Sequence, residues 1–113
     1  MDFDEYQIEA RKTAIYPQVG SNLWYPALGL NGEAGEVAEK VKKIYRDNQG
    51  ALFSDIVLDN TEAICKELGD VLWYIASMAT ELGVNMSDIA RANLAKLQYR
   101  AARGKVHGEG DER

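Results

Sequence analysis

The sequence predicts an all-α fold, a four-helix bundle-like subunit, on three observations. Between residues 30 and 44 the apolar residues Leu30, Ala34, Val37, Val41 and Ile44 recur at 4, 3, 4 and 3 residues, which is one stripe of a helix. The stretch 64–78 repeats that pattern 34 positions later, with Ile64, Leu68, Val71, Ile75 and Met78 on the stripe. Helix stops and caps bracket these stretches and two further helical segments, at Pro17, Asn22, Asn60, Gly83 and Ser87.

Residues 2–16 read as the first helix, with Asp2, Asp4 and Glu5 suiting its positive end and Pro17 stopping it. Residues 18–22 form a loop. The main helix starts between Asn22 and Pro26, capped by Ser21 or Asn22, because proline fits only a first turn. Gly29, Gly32 and Gly35 each weaken its N-terminal half by about 1 kcal/mol relative to alanine. Such bare backbone serves either a ligand beside the helix or close helix packing.

Residues 47–60 form a connection in which Phe53, Ile56, Val57 and Leu58 make a short extended piece or a brief turn. The third helix runs from about residue 60 to 82, capped by Asn60 or Asp59, and Gly83 closes it. From Leu68 to Ala79 it is apolar over most of its circumference, so it needs cover on several sides. Four helices provide too little cover, which predicts a homodimer or homotetramer. Ser87 caps the fourth helix, whose stripe is Ile89, Ala90, Leu94, Leu97 and Ala101. Residues 1–103 are thus expected to form a single domain and 104–113 a flexible Gly-rich tail.

Composition narrows the function. The chain has 113 residues and a net charge of −5, so it carries no general basic footprint for nucleic acid. One cysteine, Cys65, rules out an internal disulfide and suits a reducing compartment. The longest apolar run is too short for a bilayer, and the acidic N-terminus is unlike a signal peptide. A cytoplasmic protein with no membrane partner is expected.

The chemistry lies beside the two stripes. Glu33 and Glu36 flank the first, and Glu67 and Asp70 stand at the same phase beside the second. Antiparallel packing of the two stripes brings all four carboxylates to one spot. Like charges that close need protons or a cation, and oxygen-only ligands favour Mg²⁺ or Mn²⁺. The competing reading leaves them as solvated acids on two amphipathic helices. If they do converge, Glu67→Gln should preserve or raise stability without metal while activity collapses. Lys40 and Tyr74 fall on the carboxylate side, and Glu39 points further out. Asn93, Lys96, Arg100 and Arg103 form a polar-basic ridge, either solvated or a set of donors to phosphate oxygens. His107 has no Glu-x-x-His partner, which argues against a di-iron bundle. No Ser-His-Asp or Cys-His set is evident, so a covalent nucleophile is not expected.

The pair E33-A-G-E36 and E67-L-G-D70 resembles the ExxE…ExxD signature of the MazG-like all-α nucleoside triphosphate pyrophosphohydrolases. Residues 25–43, YPALGLNGEAGEVAEKVKK, are similar to that family, as are residues 66–76, KELGDVLWYIA. Asn93-x-x-Lys96 and the closing Gly110-Asp111-Glu112-Arg113 also match, while residues 47–60 do so least. The resemblance implies a small helical subunit in a homodimer or homotetramer. Glu33, Glu36, Glu67 and Asp70 would hold Mg²⁺, with Mn²⁺ a possible substitute. The implied reaction takes a (d)NTP to (d)NMP and pyrophosphate by metal-activated water, house-cleaning non-canonical or excess nucleotides. Either Glu33 or Glu36 could accept the water's proton. Asn93 and Lys96 would contact phosphates, and Tyr74 and the 16–24 region, including Trp24, would meet sugar and base; Lys40 and Arg100 are further candidates for binding substrate. Two alternatives stay open: a dUTP/dCTP-selective hydrolase of the same superfamily, and a non-enzymatic helical oligomerisation module.

Overall fold

The computed structural model describes residues 1–48 and 60–104. It contains four α-helices, α1 (Phe3–Arg11), α2 (Trp24–Asp47), α3 (Thr61–Leu82) and α4 (Met86–Ala102), and no strand among the described residues. The expected packing piece at Phe53–Leu58, the expected tail beyond Gly104 and His107 lie outside the described residues.

Local chemistry sets the starts of α1 and α2 and the end of α3. The Asp2 carboxylate accepts the Glu5 N–H at 2.7 Å and starts α1. That helix is shorter than its sequence pattern: it stops at Arg11, well before Tyr16 and Pro17. Beyond it the backbone tightens into three-residue bonds, Thr13 N–H to the Ala10 carbonyl and Ala14 N–H to that of Arg11. Residues 16–22 are then held by α3 through Glu81, so tertiary contact overrides the local pattern.

The Asn22 side chain accepts the Tyr25 N–H at 3.1 Å, the expected cap of α2, and Pro26 is buried in the first turn. Gly83 closes α3 at φ +72°. Its N–H reaches the Thr80 carbonyl and the Val84 N–H that of Ala79, the paired bonds of a Schellman ending. Ser87 does not cap α4. That helix begins one residue earlier, and its first N–H groups are satisfied from α1. Gln7 accepts the Met86 N–H at 2.9 Å, while Asp4 accepts the Ser87 N–H at 3.1 Å and its hydroxyl at 2.6 Å. An acid at the positive end of a helix is favourable, here supplied across the fold.

The contact between α2 and α3 is the most extensive of the fold. The two run antiparallel, since Gly29 faces Tyr74 at one end and Lys40 meets Glu67 further along. On the other side α1 lies across α3, and Ala10, Ala76, Ala79 and Met86 form the buried cluster. Gln7 ties this junction by donating to the Val84 carbonyl at 2.9 Å. The buried core is small. Val41 and Leu68, both on the stripes, remain 46% and 49% exposed. The α2–α3 pair therefore covers only part of its own apolar surface.

Candidate metal centre

Antiparallel packing of α2 on α3 sets one acid-bearing turn of each helix against the other. Glu33, Glu67 and Asp70 each offer a carboxylate oxygen, and these oxygens lie within 4.8 Å of one another. Burial pushes Glu33 above the ordinary carboxylate range, and the charges of Asp70, Glu67 and Glu36 push it further. Glu36 stands outside the trio. It lines a neighbouring cavity of about 440 Å³ with Lys40, Lys43, Asn60 and Glu67. The fourth acid is thus a turn along α2, near enough for its charge to be felt at Glu33.

The donor set is all carboxylate, which suits a hard divalent ion, and the pull for positive charge is visible in the fold. Lys40 extends from α2 to Glu67, its Nζ 3.1 Å from Oε1. No cation pairs with Glu33 among the described residues. These residues fit a hard divalent cation.

The other flank of the trio is aromatic. Thr13, Glu33, Asp70, Trp73 and Tyr74 line a cavity of about 310 Å³. Tyr16 stacks on Tyr25 with centroids 4.9 Å apart, and Trp73 meets Tyr74 edge-on at 5.0 Å. Contacts of 6.4 Å, from Tyr25 to Tyr74 and from Tyr16 to Trp73, close the quartet. The Trp73 indole N–H donates to the Thr13 hydroxyl at 2.8 Å, fixing that wall. Burial raises the Tyr74 hydroxyl, Tyr25 adds to it, and the Glu33 and Asp70 charges act the same way. Tyr74 therefore keeps its proton at neutral pH and remains a donor.

Gly29 is explained by close packing. A Cβ there would lie 2.1 Å from Tyr74 Cε1, whereas at Gly32 and Gly35 it would meet nothing within 4 Å. A larger cavity, about 500 Å³, opens between α1 and the α3–α4 turn. Its Asp4 and Gln7 are already engaged in capping α4, so it lacks the convergent acids of the first site.

The remaining expected ligand contacts fall in different places. Tyr74 and Lys40 adjoin the trio. Trp24 is 80% exposed and lines neither cavity beside the acids. On α4, Asn93 is exposed and Lys96 half-buried. Arg100, expected in an exposed ridge, is only 3% exposed, so that ridge is not one continuous solvated face.

Sequence reasoning passed over Glu81. Its side chain is 2% exposed and accepts from the Tyr16 hydroxyl at 2.9 Å, the Gly20 N–H at 2.8 Å and the Asn22 N–H at 3.4 Å. Arg11 pairs with it at 3.5 Å. This one carboxylate fixes the loop that carries Tyr16 and caps α2. A signal was present: Glu67, Asp70, Tyr74 and Glu81 share one helical phase. Tyr25 and Thr13 were likewise not singled out.

The sequence model of the MazG nucleotide pyrophosphohydrolase domain matches residues 26–104, a span that holds all four acids. The chain belongs to the MazG nucleotide pyrophosphohydrolase family. It is also similar to the Gene 37 protein of Mycobacterium phage L5, 48% identical over 118 positions that span the whole of both chains. No solved structure matches it. The MazG match opens at Pro26, so α1, the loop bearing Thr13 and Tyr16, and Tyr25 at the start of α2 precede it. In this MazG chain the metal-type acids and Tyr74 thus fall inside the matched span, while part of the aromatic wall falls outside. No helix among the described residues is long and apolar enough to cross a membrane.

Proposed function

We propose that this chain is a Mg²⁺-dependent nucleoside triphosphate pyrophosphohydrolase that converts a (d)NTP to (d)NMP and pyrophosphate. The observation that carries the reading is the position of the Glu33–Glu67–Asp70 trio. It stands between an aromatic cavity and one lined by Lys40 and Lys43. Along α2 the order is Gly29, Glu33, Glu36, Lys40 and Lys43, and at about 1.5 Å per residue this spacing suits an extended triphosphate. The nucleoside takes the aromatic end, where Trp73 and Tyr74 offer ring faces and Tyr74 a hydroxyl donor. The terminal phosphates take the lysine end. Cleavage between the first and second phosphates then falls opposite the acids.

Glu33, Glu67 and Asp70 hold the ion, with Glu36 completing the set from the next turn. A divalent ion bound there supplies the Lewis-acid chemistry for anhydride hydrolysis, with Mn²⁺ able to substitute. Either Glu33 or Glu36 accepts the water's proton. Asn93 and Lys96 contribute phosphate contacts from α4. Removal of non-canonical or excess nucleotides is the role this activity suits. The half-open stripes at Val41 and Leu68 support assembly as a homodimer or homotetramer.

Product analysis tests the reaction. Incubation of a triphosphate panel with Mg²⁺ should yield monophosphate and pyrophosphate, and chelator should abolish both. Diphosphate and orthophosphate as products would reject the reading. The same panel separates a dUTP/dCTP-selective enzyme from a broad one, because shape and a few hydrogen bonds set base choice.

A further inference from the structure

The Lys40–Glu67 pair differs from the other lysine pairs. Lys12–Glu9, Lys43–Glu39 and Lys66–Glu62 each join residues three or four apart in the chain, on side chains about half exposed or more. Lys40 instead spans from α2 to α3, and its pair is more sheltered, with side chains 37% and 20% exposed. Its ammonium occupies an oxygen of the very carboxylate that belongs to the acid trio.

We infer that Lys40 is a built-in counter-ion that competes with the divalent cation for Glu67 and passes to the terminal phosphates when that cation binds. This rests on the metal-centre reading above. Without metal, the ammonium offsets part of the repulsion among Glu33, Glu67 and Asp70. A divalent ion at the trio would stand within a few ångströms of the ammonium, and like charges at that range repel strongly. The flexible four-carbon stem lets Lys40 leave. Its exit is the cavity of about 440 Å³ that it already lines with Lys43. There the two lysines present adjacent donors to phosphate oxygens. The device makes the metal-free site less costly to fold. It also weakens the binding of metal alone and couples tight metal binding to the arrival of a triphosphate.

Calorimetric titration with Mg²⁺ alone, on the full chain without nucleotide, tests this. Lys40→Met should bind Mg²⁺ about two- to fivefold more tightly than the wild type, the range expected for loss of a partly exposed competing ion pair. Lys43→Met removes the same charge one turn further on and should stay within about twofold of the wild type, because its partner Glu39 is outside the trio. Lys40→Gln repeats the measurement should the methionine variant fail to fold. Affinity equal to or below the wild type in the Lys40 variants would overturn the proposal, as would an equal gain in Lys43→Met. Absence of Mg²⁺ binding in every protein would instead overturn the metal centre itself, and the proposal with it.

Discussion

Gly29 and Tyr74 touch so closely that a β-carbon at position 29 would stand 2.1 Å from Tyr74 Cε1. The glycine is therefore what lets α2 and α3 approach at the aromatic end of the site. Helix propensity alone would favour alanine by about 1 kcal/mol. The ring has little freedom to yield, with Trp73 edge-on at 5.0 Å and Tyr25 beside it. Gly29→Ala should thus destabilise the fold by about 1–3 kcal/mol, the usual cost of overpacking, and lower nucleotide affinity by displacing Tyr74. Gly32→Ala, with nothing within 4 Å, should stabilise it by about 0.5–1 kcal/mol. Chemical denaturation of both variants checks the opposite signs.

Charge relief among the acids is best read at Glu33. From sequence, Glu67→Gln serves that purpose, but Glu67 has a cation partner in Lys40 and Glu33 has none among the described residues. Glu33→Gln keeps the size and removes a carboxylate held above its ordinary range by burial and three neighbouring acids. Without metal it should melt at or above the wild type. The wild type should gain stability with Mg²⁺ by mass action, and the variant much less. Melting curves with Mg²⁺ and with chelator decide it, and equal Mg²⁺ shifts would remove Glu33 from the site.

Glu81 predicts a pH signature. Burial alone would raise its carboxyl, yet the Gly20 N–H, the Tyr16 hydroxyl, the Asn22 N–H and Arg11 outweigh that and hold it below the ordinary value of 4.5. A carboxyl lowered on folding contributes stability that is fully present above the unfolded value and is lost as pH falls through the folded one. Glu81→Gln should therefore cost about 1–3 kcal/mol at neutral pH. The gap to the wild type should close once the pH drops well below 4.5. Paired denaturation curves at neutral and acidic pH measure it, and a gap independent of pH would assign the cost to packing instead.

Lys96→Ala tests the phosphate side. Loss of a charge-assisted contact should weaken triphosphate binding by about 1.5–3 kcal/mol and leave nucleoside binding unchanged. Equal losses for the two ligands, measured by calorimetry, would return Lys96 to a structural role on α4.

The long helices, their antiparallel pairing and three of the four acids were legible because each rests on helical periodicity. Gly29 was visible as an oddity, but whether it served a ligand or packing depended on what lay opposite. The early end of α1 and the capping of α4 were not legible. Both arise from side chains distant in sequence: Glu81 capturing residues 16–22, and Asp4 and Gln7 reaching Met86 and Ser87. Arg100 has the spacing of a surface ridge, and only the packing of α4 shows it buried. Periodicity assigns faces, whereas pairings between elements depend on the tertiary fold.

The two tryptophans sit in opposite surroundings, Trp24 in water and Trp73 against Tyr74 with its indole N–H on Thr13. That contrast makes the molecule its own optical probe. With Trp24→Phe, emission would come from the one indole that walls the cavity next to Glu33 and Asp70. Filling that cavity would then be read as a change in intensity or wavelength, without label, enzyme coupling or turnover.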